Sequence, residues 1–225
     1  MIGIAVGASV AYFYWEKIWA VIAYPLTKQH LKVDLIATSP METFMTSLKM
    51  SFISGIIFAF PWVMWQLWRF LAPGLYAKER RVFAIAFSSS IIMFLVGAAF
   101  AYFAVLPAGL QFLATYTNGS ITQNWRQEEF ASFISQFMLA FGVIFELPVA
   151  AYVLATIGLI TAGGMWSFFR YAIVVIFAVA AVLTPGPDPV SQILMALPLC
   201  FLYLISIGIC AIAQKKVAAK AEVTA

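Results

Sequence analysis

The chain has 225 residues, of which 64% are hydrophobic and only 10% charged, with a formal net charge of +4. Soluble domains carry roughly 25% charged residues, so this composition, with a mean hydropathy of +0.98, belongs to an integral membrane protein. Disorder, nucleic-acid binding and a secreted disulfide scaffold are excluded, and the surplus positive charge is a topology signal.

Six apolar spans follow in chain order, at about 1–14, 43–68, 82–109, 131–157, 171–183 and 190–213. They hold 132 residues but only two charges, Lys49 and Glu146. Most reach the ~20 residues that a helix needs to cross the hydrocarbon. Internal Gly and Pro without strict alternation fit helices and not a barrel. The sequence predicts an all-α integral membrane protein of six transmembrane helices over 1–213, followed by a short basic tail at 214–225. Loops 69–81, 158–170 and 214–225 carry eight Lys/Arg, whereas 15–42, 110–130 and 184–189 carry four. The positive-inside rule then puts both termini in the cytoplasm. Trp15, Trp19, Trp65, Trp68, Trp125 and Trp166 stand at the expected interfaces.

Two spans are unusual. The first begins at Met1 inside an apolar run, which suggests that a natural N-terminal flank of 10–25 residues is missing or that the start is atypical. The fifth has 13 apolar residues after Arg170, roughly 20 Å of helix. Either Arg170 snorkels and residues from about Met165 join that helix, or the bilayer thins nearby.

Between the spans lie the chemical signals. The segment 15–42 contains Tyr24-Pro25 and the helix start Ser39-Pro40-Met41-Glu42, and is expected to form a structured outer cap. Lys49 lies about two turns inside its span and is expected to snorkel. In RFLAPGLYAKERR, residues 69–81, Pro73-Gly74 stops one helix and Glu79-Arg80-Arg81 opens the next. This is helix punctuation, or else a cytoplasmic docking face whose carboxylate takes a guanidinium. In FGVIFELPVA, residues 141–150, Glu146 sits deep in an apolar helix, where an acid is costly unless it is functional, paired or protonated. Pro148 should free a carbonyl and bend that helix. In LTPGPDPVSQ, residues 183–192, three prolines and a glycine make a rigid turn, Asp188 caps the last helix and Gln192 can hydrogen-bond another helix. Asn118-Gly119-Ser120 matches a short glycosylation pattern. His30, Cys200 and Cys210 give no metal-binding spacing, so neither a metal nor another cofactor is expected. No motif of an enzyme is present, and catalysis is not expected.

APGLYAKERR, FGVIFELPVA and LTPGPDPVSQ, in this order within a six-span, inside-in topology, closely resemble TatC over essentially the whole chain. TatC is the multispanning receptor subunit of the twin-arginine protein translocase. The resemblance implies a six-helix, curved, concave wall in the cell's inner membrane. It implies recognition of twin-arginine signal peptides of folded cargo, and work with TatA-type and TatB-type single-span partners, driven by the proton motive force. Other copies of the chain and the lipid bilayer are further partners. It places signal-peptide binding on Glu79, with Phe70, Pro73, Leu75, Tyr76, Arg80 and Arg81 around it. Glu146 and Gln192 fall on positions of partner-helix contact, Pro25 and Asp188 on the structured outer face. The family's cytoplasmic N-terminal segment, which supplies a second acid and an arginine, is missing here, so signal binding is expected to be impaired. The inner loop TAGGMWSFFR, residues 161–170, is less basic than in many relatives.

A proton-coupled secondary transporter with Glu146 as proton relay is the alternative. The lack of an inverted repeat and of a second titratable membrane residue stands against it. A passive membrane scaffold is the third reading.

Overall fold

Apolar runs in a membrane must satisfy their own backbone, and helices do so within one segment. The computed structural model describes residues 2–28, 33–71, 80–115, 123–184 and 189–224. The side chains of 2, 68, 70, 71, 80–84, 123, 191 and 218–224 are not described. Helices α1 (Ile2–Phe13) and α2 (Trp15–Lys28) are followed by strand β1 (Val33–Ile36) and α3 (Pro40–Leu71). Then come α4 (Arg80–Phe100), a π turn (Ala101–Val105), α5 (Leu106–Thr115) and strand β2 (Gln123–Arg126). The chain continues through α6 (Gln127–Ile144), α7 (Leu147–Thr156), α8 (Ala162–Leu183) and α9 (Pro189–Thr224).

Five helical stretches are long and apolar enough to cross a membrane: Pro40–Leu67, Ile85–Thr115, Gln127–Thr156, Ala162–Leu183 and Gln192–Val217. They carry predicted spans two to six. The first span is helical too, but α1 has 12 residues, fewer than a crossing takes. The fifth begins nine residues before its apolar run, at Ala162. Upstream residues therefore do join it, although at 22 residues it is still the shortest of the five. Helix α9 runs on through the segment read as a tail.

The chain divides into two compact units. The first contains α1, α2, β1, α3 up to Val63, and Ala98–Phe141. Its helices meet through small residues: a Cβ on Gly55 would come within 2.4 Å of the Ala8 nitrogen, and one on Gly7 within 2.8 Å of the Gly55 carbonyl oxygen. In lipid, where apolar burial gives little drive, such close backbone approach is what holds helices together. A ladder of Phe133, Phe137, Phe141 and Phe100 runs from the buried Phe137 and Phe141 to the surface, with successive centroids 4.9–6.1 Å apart. The two strands, which helical periodicity did not predict, pair in parallel from Val33↔Gln123 to Ile36↔Arg126.

The second unit contains the rest of α3, α4 up to Gly97, α7, α8 and α9. Gln192, Tyr203 and Gln214 recur every 11 residues, three turns apart on one face of α9. All three bond to α8 backbone. The Gln192 amide donates to the Phe177 carbonyl at 2.9 Å, and the Tyr203 hydroxyl to that of Met165 at 3.0 Å. The Gln214 carbonyl accepts the Ala162 N–H at 3.2 Å, which satisfies a donor at the start of α8. Cys210 is fully buried against Ala155 and Ala213, and both cysteines are free thiols.

Candidate functional site

The site residues expected from sequence fall into three places. The first is the segment between α3 and α4. Phe70 is in the last turn of α3, and Arg80 and Arg81 begin α4. Their side chains are not described, and Pro73, Leu75, Tyr76 and Glu79 lie outside the described residues. Asp188 and the Asn118-Gly119-Ser120 pattern lie outside them as well, as does His30.

The second place is Glu146. Pro148 has no N–H for the carbonyl of Ile144, and the helix parts as expected: α6 stops at Ile144 and α7 resumes at Leu147. Glu146 stands at this break, its N–H bonded to the Val143 carbonyl at 3.1 Å. Its carboxyl group hydrogen-bonds to Ser90, fully buried on α4. The other carboxyl oxygen, Oε1, is buried with no hydrogen-bond partner among the described residues. Unpaired buried polar atoms are rare, because each forfeits its bond to water. Here one lies at a helix break inside an apolar span. Gln192, by contrast, spends its amide on α8.

The third place is the end of the first unit that carries the strands. Pro25 is buried within α2 and leaves the carbonyl of Val21 without its helical donor. The Tyr102 hydroxyl supplies one, at 2.6 Å. Tyr102 is on the π turn, which ends two residues before Pro107, a residue that cannot donate to the Phe103 carbonyl. Two prolines and one tyrosine thus tie α2 to the α4–α5 helix. Tyr102→Phe is expected to cost about 0.5–1.5 kcal/mol, the net worth of one hydrogen bond. In a Pro25→Ala background, where the helix satisfies Val21 itself, that cost should vanish. Thermal unfolding of the four proteins measures both.

A charge network missed by the sequence reading completes this end. Ser39 caps α3: its Oγ accepts the Glu42 N–H at 3.2 Å, and the Glu42 carboxylate accepts the Thr38 N–H at 2.8 Å. Glu42 is 4% exposed. It also takes the Glu128 N–H at 3.3 Å and stands 3.5 Å from the Arg126 guanidinium. Arg126 reaches Glu129 at 3.0 Å, and the Lys49 ammonium pairs with Glu128. Lys49 therefore does reach the end of its helix, where it meets an acid. Glu42, first, and Glu129 hold the Arg126 guanidinium ionised above its usual range. The Ser39–Glu42 spacing was a visible signal; the Arg126 partnership, 84 residues away, was not.

The family model described as "Sec-independent protein translocase protein (TatC)" matches residues 1–198. The chain is similar to the TatC of Helicobacter pylori strain 26695, with 46% identity over 87% of this chain and 75% of that protein. It is likewise similar to that of Aquifex aeolicus, with 37% identity over 96% and 90%. Among solved structures, a crystal structure of the twin-arginine translocase receptor TatC superposes with a TM-score of 0.88 at 37% identity, covering 94% of this chain and 93% of the other.

Proposed function

Because the chain belongs to the TatC family of Sec-independent protein translocase proteins, we propose that it is the receptor of a twin-arginine translocase, binding the Arg-Arg signal peptide of folded cargo at the segment between α3 and α4. The observation that carries this is the family match itself, which runs through APGLYAKERR at residues 72–81. Glu79 immediately precedes α4 in the sequence, and the family resemblance adds Phe70, Pro73, Leu75, Tyr76, Arg80 and Arg81 to the proposed site. A carboxylate accepts a guanidinium through two parallel hydrogen bonds, a geometry that a lysine ammonium lacks. That chemistry reads an arginine pair specifically. The lysine and arginine distribution supports cytoplasmic termini and a strand-bearing end that faces outward, and the family membership supports an inner-membrane location. Pro25, within α2 of the first unit, is assigned to the outer face, and the family resemblance assigns Asp188 to it as well.

Single-span TatA-type and TatB-type subunits are the membrane partners in this reading. The unpaired Glu146 Oε1 at the α6–α7 break is where a polar group of a partner helix would enter, and Gln192 marks the α8–α9 face. Glu146→Ala is expected to lower recruitment of the single-span partner about tenfold, the scale of one hydrogen bond to a strongly polar group. Signal-peptide capture should stay at its wild-type level. Co-purification and peptide pull-down from the same membranes measure the two, and undiminished recruitment would make Glu146 a structural residue.

The receptor function is tested by capture of a signal peptide on the reconstituted chain. An Arg-Arg peptide should be retained and its Lys-Lys counterpart should not; equal retention would overturn the assignment.

A further inference from the structure

A cavity of about 530 Å³ opens beside β2 in the first unit, and the translocase role leaves it without an occupant. Leu110 and Leu113 of α5 and Phe130 and Phe133 of α6 form its apolar floor, and Arg126 and Glu129 stand at its rim. Its depth in the membrane follows from these residues. Leu110 and Leu113 are in the last six residues of the span Ile85–Thr115, and Phe130 and Phe133 in the first seven of Gln127–Thr156. The floor therefore lies at the edge of the hydrocarbon and the rim at headgroup level, where Trp125 also stands.

Charge selects the occupant. Three carboxylates, Glu42, Glu128 and Glu129, share two cations, Lys49 and Arg126, which leaves one negative charge over in this network. Glu42 is buried on the Thr38 N–H and Glu128 is held by Lys49. The three acids share the surplus, and the part that a ligand can reach is on Glu129, whose side chain is 67% exposed and bonds the half-exposed guanidinium of Arg126 at 3.0 Å. A ligand that fits must bring a hydrogen-bonding cation for Glu129, an anion beside it for Arg126, and an apolar chain for the floor. An anionic headgroup would add to the surplus. A quaternary ammonium cannot donate a hydrogen bond to Glu129.

We propose that this cavity binds a phospholipid with a primary-ammonium, zwitterionic headgroup of the phosphoethanolamine type. Its ammonium sits on Glu129, its phosphate on Arg126 and one acyl chain on Leu110, Leu113 and Phe133. The lipid extends the α5–β2–α6 surface and covers the ion network from the membrane side. This proposal rests on the cavity and its charges and is independent of the receptor reading.

The test is competitive lipid retention. The chain is reconstituted with equal amounts of phosphatidylethanolamine, phosphatidylcholine and phosphatidylglycerol, extracted in mild detergent, and its co-purifying lipids are counted by native mass spectrometry. The ethanolamine lipid should exceed each of the others roughly threefold, the scale of one exposed ion pair. Glu129→Gln, a change at an exposed position, should abolish that preference with an unchanged melting temperature. Leu113→Trp, which fills the floor with the ion network intact, should lower retention of the ethanolamine lipid to the level of the other two. Equal retention of the three lipids, preference for the glycerol lipid, or a preference that survives in either variant would overturn the proposal.

Discussion

Gly55→Ala is expected to dislodge α1 from α3. The added Cβ would lie 2.4 Å from the Ala8 nitrogen and 2.6 Å from its Cα, both backbone atoms that no side-chain rotation can move away. One helix must shift bodily, by more than an ångström, to restore ordinary contact. Overpacking a close-fitting interior costs about 1–3 kcal/mol, and here the partner is a helix of only 12 residues. Gly55→Leu should be worse. The check is thermal unfolding in detergent together with proteolysis of the first 28 residues. The alanine variant should melt several degrees lower and lose α1 to protease first. An unchanged melting temperature would show that the two helices do not meet as described. Gly109 offers an internal control, since a Cβ there meets nothing within 4 Å.

Glu79→Gln is expected to weaken capture of an Arg-Arg signal peptide by ten- to a hundredfold. The amide keeps the size of the side chain and one acceptor but loses the charge and the second acceptor that a guanidinium engages. A hydrogen bond to a charged group is worth about 1.5–3 kcal/mol, which corresponds to that range of affinity. The substitution precedes α4 by one residue and keeps the size of the side chain. Glu79→Gln should therefore leave insertion and melting temperature unchanged, so a loss of capture reads as lost recognition. Unimpaired capture would remove Glu79 from the site.

How much of this could be seen in the sequence differs from residue to residue, for physical reasons. Spans two, three, four and six were legible because a membrane helix announces itself by composition alone. The start of α8 was not: Gly163, Gly164, Ser167 and Arg170 dilute its apolar signal, although none of them prevents a helix. The break at Glu146 was legible from Pro148, because a missing N–H acts on a carbonyl a fixed four residues away. What the prolines attract was not legible. Pro25 points to a free carbonyl on Val21, but nothing local says that Tyr102, 81 residues on, will fill it. The same holds for Glu42 and Arg126, and for the short pairing of β1 with β2, which four-residue segments do not specify by pattern. The segment proposed to read arginine, residues 72–81, is the opposite case. Spacing alone showed a charged turn, and its meaning came from the family to which the chain belongs.

A double-mutant cycle measures directly whether the Glu79 carboxylate and a signal-peptide guanidinium act on each other, as proposed. Four affinities are needed: the wild-type chain and Glu79→Gln, each with the Arg-Arg peptide and with its Lys-Lys counterpart. If the pair is the recognition contact, either change alone weakens binding at least tenfold, and the two together weaken it little more than one, a coupling of about 1.5 kcal/mol or above. If the two losses simply add, the arginine pair is read by other groups, and Glu79 is not the residue that receives it.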